Sequence, residues 1–242
     1  MESISIIIPA YNEARRLPTT LEEVLGYLRG AGFSSAEVLV VDDGSRDQTA
    51  GIAREFASRH PEIRLLENPG NRGKGYSVRH GMLKAQGDWI LFTDADLSAP
   101  IAELDKLLAA ARERGARVAI GSRALDRSLI TIHQSMFREQ AGRIFNLCMR
   151  MVTGLRLWDT QCGFKLFEAH AAREIFRRQK LDGFSFDVEA LFLARKLGFR
   201  TVEVPVHWSH AEGTKVKMFS DSLLMFVDLF QIRWNHLRGL YR

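Results

Sequence analysis

Apolar residues in the first half of the chain alternate between two spacings. Ser3–Pro9 is a short β-branched run, the pattern of a buried strand. Leu17, Leu21, Val24, Leu25 and Leu28 follow at helical spacing. Glu37–Val41 predicts the next strand, and Thr49, Ile52, Ala53 and Phe56 the next helix. Ile63–Leu66 predicts a strand and Gly75–Gln86 a helix, with Asn68-Pro69-Gly70-Asn71 breaking the chain between them. Trp89–Thr93 is a strand pattern, Ile101, Leu104, Leu107, Leu108 and Ala111 mark a helix, and Val118–Ile120 a strand. Strands and helices alternating at such intervals imply an α/β fold: a mostly parallel sheet covered on both faces.

The pattern changes after Arg123. Leu129–Val152 predicts one long helix that carries Arg138, Arg143 and Arg150 among apolar residues. Gly163–Phe167 predicts a strand, Ala169–Arg178 and Val188–Leu197 helices, and Thr201–Trp208 a strand in which Pro205 favours an edge or a bulge. Ser220–Leu237 predicts a closing helix rich in aromatic residues. No repeat, low-complexity tract or linker interrupts the chain, so a single domain is expected.

The 242 residues are 46% hydrophobic and 26% charged, which excludes disorder, collagen and coiled coil. Cys148 and Cys162 form no CxxC and stand near no Cys/His cluster, so a disulfide scaffold or zinc module is not expected, and reduced cytoplasmic thiols are. No apolar run reaches the roughly 18 residues of a membrane span, and Met1-Glu2-Ser3 does not begin like a signal peptide. The net charge of +5 is uneven: residues 1–120 carry 15 Lys and Arg against 17 Asp and Glu, and residues 121–242 carry 19 against 12, so −2 is followed by +7. A basic second half suits an anionic partner such as a phosphate, nucleic acid or acidic membrane, and equally an ordinary solvated face.

Ligands of parallel sheets bind beyond the carboxyl ends of the strands. Three polar clusters fall there: Tyr11-Asn12-Glu13, Asp42-Asp43-Gly44-Ser45 and Asp94-Ala95-Asp96. Two hard carboxylates flanking a small residue can hold Mg²⁺ or Mn²⁺ and leave coordination sites for a diphosphate. A carboxylate at Asp42-Asp43 can bind a ribose hydroxyl or a base N–H, while Ser45 or Asp47 can cap the helix that follows. Asn71-Arg72-Gly73-Lys74-Gly75 sets cations and backbone amides before a helix, where they can face an anion or form only a flexible turn; it is neither a Walker A loop nor a dinucleotide fingerprint. Asp159 lies in the polar segment Asp159-Thr160-Gln161-Cys162-Gly163-Phe164-Lys165, as a general base, a group that positions an acceptor, or a turn-former. His207, His210, Lys215 and Lys217 follow the late strand, and a loop carrying these lysines can close on phosphate.

These motifs stand in the order of a known family. Ile7-Ile8-Pro9-Ala10-Tyr11-Asn12-Glu13, Val40-Val41-Asp42-Asp43-Gly44-Ser45, Asn71-x-Gly73-Lys74-Gly75 and Asp94-Ala95-Asp96 resemble those of family 2 glycosyltransferases with the GT-A fold. Gly121-Ser122-Arg123, Asp159–Lys165 and Gly213-Thr214-Lys215 extend the likeness towards the polyprenyl-phosphate sugar transferases, the dolichyl-phosphate β-glucosyltransferases most of all. The resemblance covers roughly residues 3–217. It implies a glycosyltransferase domain over 1–217, with a nucleotide-sugar half at 1–123 and an acceptor half at 124–217, followed by an aromatic and basic helix at 218–242.

By that resemblance Pro9, Ala10, Tyr11 and Glu13 line the nucleotide, with Asp42 or Asp43 on base or ribose, and Lys74 and Ala95 beside them. Asp94 and Asp96 bind metal and diphosphate; Asp96, Asp159 and Lys215 carry the catalytic roles; Arg123, Arg138 and Lys215 meet phosphates. The activity implied is inverting transfer of a hexose, with glucose expected, from a UDP-sugar to a polyprenyl phosphate. GDP-mannose or UDP-N-acetylglucosamine as donor, or a polysaccharide as acceptor, is the alternative within the class, and a non-catalytic nucleotide-binding regulator of a membrane partner is the one outside it. No RNA-binding motif appears, so nucleic acid is not an expected partner. The closing helix is expected to lie in a membrane interface or to pack on the domain or a second subunit, which places the protein peripherally at the inner face of a membrane.

Overall fold

The computed structural model describes residues 2–132, 146–210 and 218–242. Nine strands are seen among them: β1 (Ile4–Ala10), β2 (Ala36–Asp42), β3 (Ile63–Glu67), β4 (Trp89–Thr93), β5 (Val118–Ser122), β6 (Ile130–Ile132), β7 (Phe164–Glu168), β8 (Thr201–Pro205) and β9 (Trp208–Ser209). The helices with defined bounds are α1 (Leu17–Gly30), α2 (Thr49–Arg59), α3 (Lys74–Lys84), α4 (Leu104–Glu113), α5 (Ala169–Arg178), α6 (Phe186–Lys196) and α7 (Met218–Leu237). Residues 146–153 are helical as well.

Seven strands form one sheet in the order β3-β2-β1-β4-β7-β5-β8. Its strand pairs are parallel except at β7, which runs antiparallel to both β4 and β5. The pleat sends alternate residues to opposite faces. Ile4, Ile6 and Ile8 of β1 join the core built with α1, α2 and α4, and Ile7 joins the core built with α3, α5 and α6. Both faces are therefore covered, which is why β1, β2 and β4 are nearly continuous apolar runs. One sheet serves both cores, so the described residues make a single α/β domain, as expected. Leu229, Ile232 and Tyr241 tie α7 and the C-terminal turn into the second core.

Two elements differ from the sequence expectation. Ile130–Ile132 pairs in parallel with Trp208–Ser209 instead of starting a long helix. The β-branched isoleucines around Thr131 suit a strand; residues 146–152 of the expected helix are helical, and residues 133–145 lie outside the described residues. The strand expected over Thr201–Trp208 ends at Pro205 on the sheet edge, where proline takes no ladder donor, and Trp208 turns away to pair with β6.

Candidate active site

The strand ends of β1, β2 and β4 open together onto a cavity of about 400 Å³. Pro9 and Ala10 line it from the end of β1, Tyr11 and Glu13 from the loop that follows, Asp43 from just after β2, Lys74 and Ser77 from α3, and Asp94, Ala95 and Asp96 from just after β4. Nine of the residues expected to hold nucleotide or metal thus share one wall system. They converge because neighbouring parallel strands end at the same sheet edge.

Each loop is held by its own polar residues. Asn12, in the left-handed region at φ 52°, receives the Arg46 N–H on Oδ1 and donates its own N–H to Ser45 Oγ. This links the ends of β1 and β2. Asp42 is buried away from the cavity lining, with Oδ2 accepting the Ser45 N–H at 3.1 Å and Oδ1 without a partner. Asp43 accepts the N–H groups of Arg72 and Gly73 at 2.9 and 2.8 Å and the Asn68 amide at 2.8 Å. Its carboxylate ties down the turn that carries Lys74. Gly73 bends there at φ 102°, and a Cβ on it would overlap the Asp182 carbonyl, so the turn and the 181–183 loop approach as only glycine allows.

Asp94 is the charged centre of the cavity. Its Oδ1 accepts from Lys74 Nζ at 2.7 Å. A Cβ on Gly163 would overlap its carboxylate, so Gly163 is the gap into which that carboxylate fits. Burial opposes charge on Lys74, but Asp94, Asp187 and Asp96 outweigh it and hold the ammonium above the ordinary lysine value. Asp96 accepts the Ser98 N–H at 3.0 Å, and the next residue, Leu97, adopts φ 44°. Left-handed backbone at a leucine is strained, and it falls at the turn that presents Asp96. Asp94 and Asp96 offer hard oxygen donors alone, and among the described residues no group of three His, Cys, Asp or Glu gathers to make a closed site. Two carboxylates with room beside them suit Mg²⁺ or Mn²⁺ completed by phosphate and water, not structural zinc.

Asp159 and Arg123 form a second unit outside the cavity lining. Arg123 grips Asp159 with Nε at 2.6 Å, Nη2 at 2.8 Å and its backbone N–H at 3.0 Å. Burial would push the Asp159 carboxyl up, but the Arg123 charge and hydrogen bonds outweigh it and hold it below the ordinary carboxylate value. A carboxylate held this way positions a guanidinium and is a poor proton acceptor. The guanidinium also lies 5.3 Å from the Trp208 ring centre. Burial pushes the neighbouring Cys162 thiol up to about 12, so it packs as a neutral group. His207 binds Glu103 at 2.7 Å and is no part of the cavity lining. Arg138 and Lys215 lie outside the described residues.

A family model described as Glycosyl transferase family 2 matches residues 5–176. The chain belongs to glycosyltransferase family 2. This family 2 enzyme is 39% identical over 250 residues to a dolichyl-phosphate beta-glucosyltransferase of Drosophila melanogaster, covering 99% of this chain and 77% of that one. It is 36% identical over 261 residues to the Homo sapiens protein of that name, covering 100% of this chain and 78% of the relative. Its fold is similar to that of glucosyl-3-phosphoglycerate synthase from Mycobacterium tuberculosis crystallised with Mn²⁺, UDP-glucose and phosphoglyceric acid. That match has a TM-score of 0.68 at 18% identity and covers 96% of this chain and 79% of the other.

Several residues of the enzyme's site escaped the sequence reading. Arg16, Ser77, Gly183 and Phe184 line the cavity as well, beside Asn71 and Gly73 of the expected turn. Gly183 and Phe184 precede α6 in a loop that shows no motif of its own. Asp187 and Lys165 are buried and paired at 2.5 Å. The signal for Asp187 was available: Phe186-Asp187-Val188-Glu189 puts two acids at the head of an apolar helical run, and acids buried in such runs are paired.

Proposed function

We propose that this enzyme transfers glucose from UDP-glucose to a polyprenyl phosphate, inverting the anomeric carbon. The observation that carries this reading is similarity over essentially the whole chain to dolichyl-phosphate beta-glucosyltransferases. The shared fold with an enzyme crystallised with UDP-glucose and Mn²⁺ supports the donor and a divalent ion.

Asp94 and Asp96 would hold the ion, Mg²⁺ or Mn²⁺, which when bound neutralises charge on the departing diphosphate. Lys74 supplies a further cation to the same oxygens, and Pro9, Ala10, Tyr11 and Glu13 enclose the nucleoside. A phosphate monoester has its second pKa near about 6 and is largely a dianion at neutral pH, so the acceptor needs no strong base. Asp159, held by Arg123, accordingly orients the guanidinium towards the acceptor phosphate. The harder task is to bring two anions together, and fixed cations answer it.

The acceptor's lipid brings the enzyme to a bilayer, and α7 supplies a surface for it. Leu224, Val227, Phe230, Trp234 and Leu237 recur along one side of the helix and are exposed, as are Arg233, Arg238 and Arg242. An apolar stripe flanked by arginines suits an anionic membrane interface, here the inner face. No helix among the described residues is long and apolar enough to cross a membrane.

The test is release of UDP or GDP from UDP-glucose, UDP-N-acetylglucosamine and GDP-mannose, each with and without polyprenyl phosphate. Release of UDP from UDP-glucose that depends on the lipid phosphate is expected. Preference for either other donor, or indifference to the lipid, overturns the assignment.

A further inference from the structure

Beneath the cavity, Lys165 is 1% exposed and donates from Nζ to Asp187 Oδ1 and to the Cys162 carbonyl, each at 2.5 Å. Buried ion pairs contribute little net stability compared with well-packed apolar residues, so the presence of this one asks for another reason. Its location offers one. The Phe92 ring, at the end of β4, has Lys74 Nζ 5.3 Å and Lys165 Nζ 5.7 Å from its centre. Two ammonium groups gathered on one ring repel each other, and each has a carboxylate in contact with it, Asp187 on Lys165 at 2.5 Å and Asp94 on Lys74 at 2.7 Å. Asp187 is bonded to Lys165, and its charge bears on Lys74 together with that of Asp94.

Charges of alternating sign therefore lead from the core into the cavity: Lys165, Asp187, Lys74, Asp94. Lys165 is fixed by the Cys162 carbonyl, next to the Gly163 gap that receives the Asp94 carboxylate. Asp187 is fixed by Lys165 and by its place in the first turn of α6. Lys74, 26% exposed and on the cavity wall beside Asp94, is the cation of the series that a ligand can reach.

We propose that Asp187, locked by Lys165, is a positioning residue for the donor: it keeps the Lys74 ammonium on the cavity wall where the diphosphate of a nucleotide-sugar binds. This rests on the reading of the cavity as the donor site. Asp187 touches no substrate and acts through Lys74. A merely structural pair would fasten α6 to β7 and leave nucleotide affinity alone.

Asp187→Asn alone strands the Lys165 charge in the core, so the test removes both charges together, as Lys165→Met with Asp187→Asn. UDP affinity is measured by calorimetry for the wild type, the pair variant, Lys74→Met and the triple variant, with thermal midpoints alongside. The expected result is a pair variant with a near wild-type midpoint that binds UDP about tenfold more weakly. Lys74→Met should show a similar loss, and the triple variant no more than either, because both changes remove one contribution. In turnover assays the pair variant should raise KM for UDP-glucose and leave KM for the lipid phosphate unchanged. Wild-type UDP affinity in the pair variant, or losses that multiply in the triple variant, overturns the role of Asp187. Absence of UDP binding by the wild type overturns the reading of the cavity itself.

Discussion

At the scale of the residue, the carboxylates divide by what already occupies their oxygens. Asp96 gives one oxygen to the Ser98 N–H and lines the cavity, so it is free to take a cation. Asp96→Asn should lose most transfer with the thermal midpoint unchanged, and excess EDTA should silence the wild type; full turnover in EDTA would count against the ion. Asp159 is saturated by Arg123, so Asp159→Asn should lower turnover and leave UDP affinity intact. The same pair sets a pH dependence. A carboxyl held below its unfolded-state value stabilises the fold above that value, and the stabilisation fades as pH falls through the folded-state one. The stability gap between wild type and Asp159→Asn should therefore be widest near neutrality and close below about pH 4. A gap that stays constant on acidification would mean that the ion pair contributes nothing. Gly163→Ala should displace the Asp94 carboxylate and cut transfer sharply, with UDP-sugar binding as the direct readout. The place of Asp94 and Asp96 on the cavity wall was legible in the sequence because a strand ends just before them. The service of Asp43 to the 71–73 turn was not, since one residue type suits a ribose hydroxyl and a backbone N–H equally.

At the scale of the element, regular packing made the sequence readable. Strands buried on both faces and helices with one apolar face announce themselves through local spacing, as β1 and α1 do. What stayed hidden depends on distant partners: β7 inserted antiparallel between β4 and β5, and the short β6 that exists through Trp208. The C-terminal turn is another such case. Tyr241 donates its hydroxyl to Glu189 Oε1 at 2.5 Å, and Glu189 also receives the N–H groups of Lys180 and Leu181. Leu181 begins the loop whose Gly183 lines the cavity, so one buried carboxylate joins the C-terminal turn to the cavity wall. Tyr241→Phe removes a hydrogen bond to a buried charge, a loss of about 1.5–3 kcal/mol in chemical denaturation. A change within about 0.5 kcal/mol would show that packing of the ring alone holds the turn.

At the scale of the whole molecule, charge and apolar surface are displaced towards the chain's second half, which carries +7 against −2 in the first. The described part of that half also bears exposed Leu147, Met151 and Trp158, with the Arg150 guanidinium 4.4 Å from the Trp158 ring centre. On α7, Arg238 lies 4.6 Å from the Trp234 ring centre. Aromatic rings capped by arginine suit a headgroup layer, where one side of the ring is apolar and the other wet. Deleting the helix would not test this, because Leu229, Ile232 and Tyr241 would leave the core with it. Surface substitutions separate the two roles. The wild type should sediment with anionic liposomes, less so as salt screens the arginines. Phe230→Glu with Trp234→Glu should abolish sedimentation while the thermal midpoint and UDP affinity stay put, since both side chains are about half exposed, at 53% and 51%. Transfer to a long-chain lipid phosphate in vesicles should fall with sedimentation, and transfer to a short, water-soluble isoprenyl phosphate should persist. If the double variant sediments as the wild type does, or loses both transfers equally, α7 is not the surface that meets the bilayer.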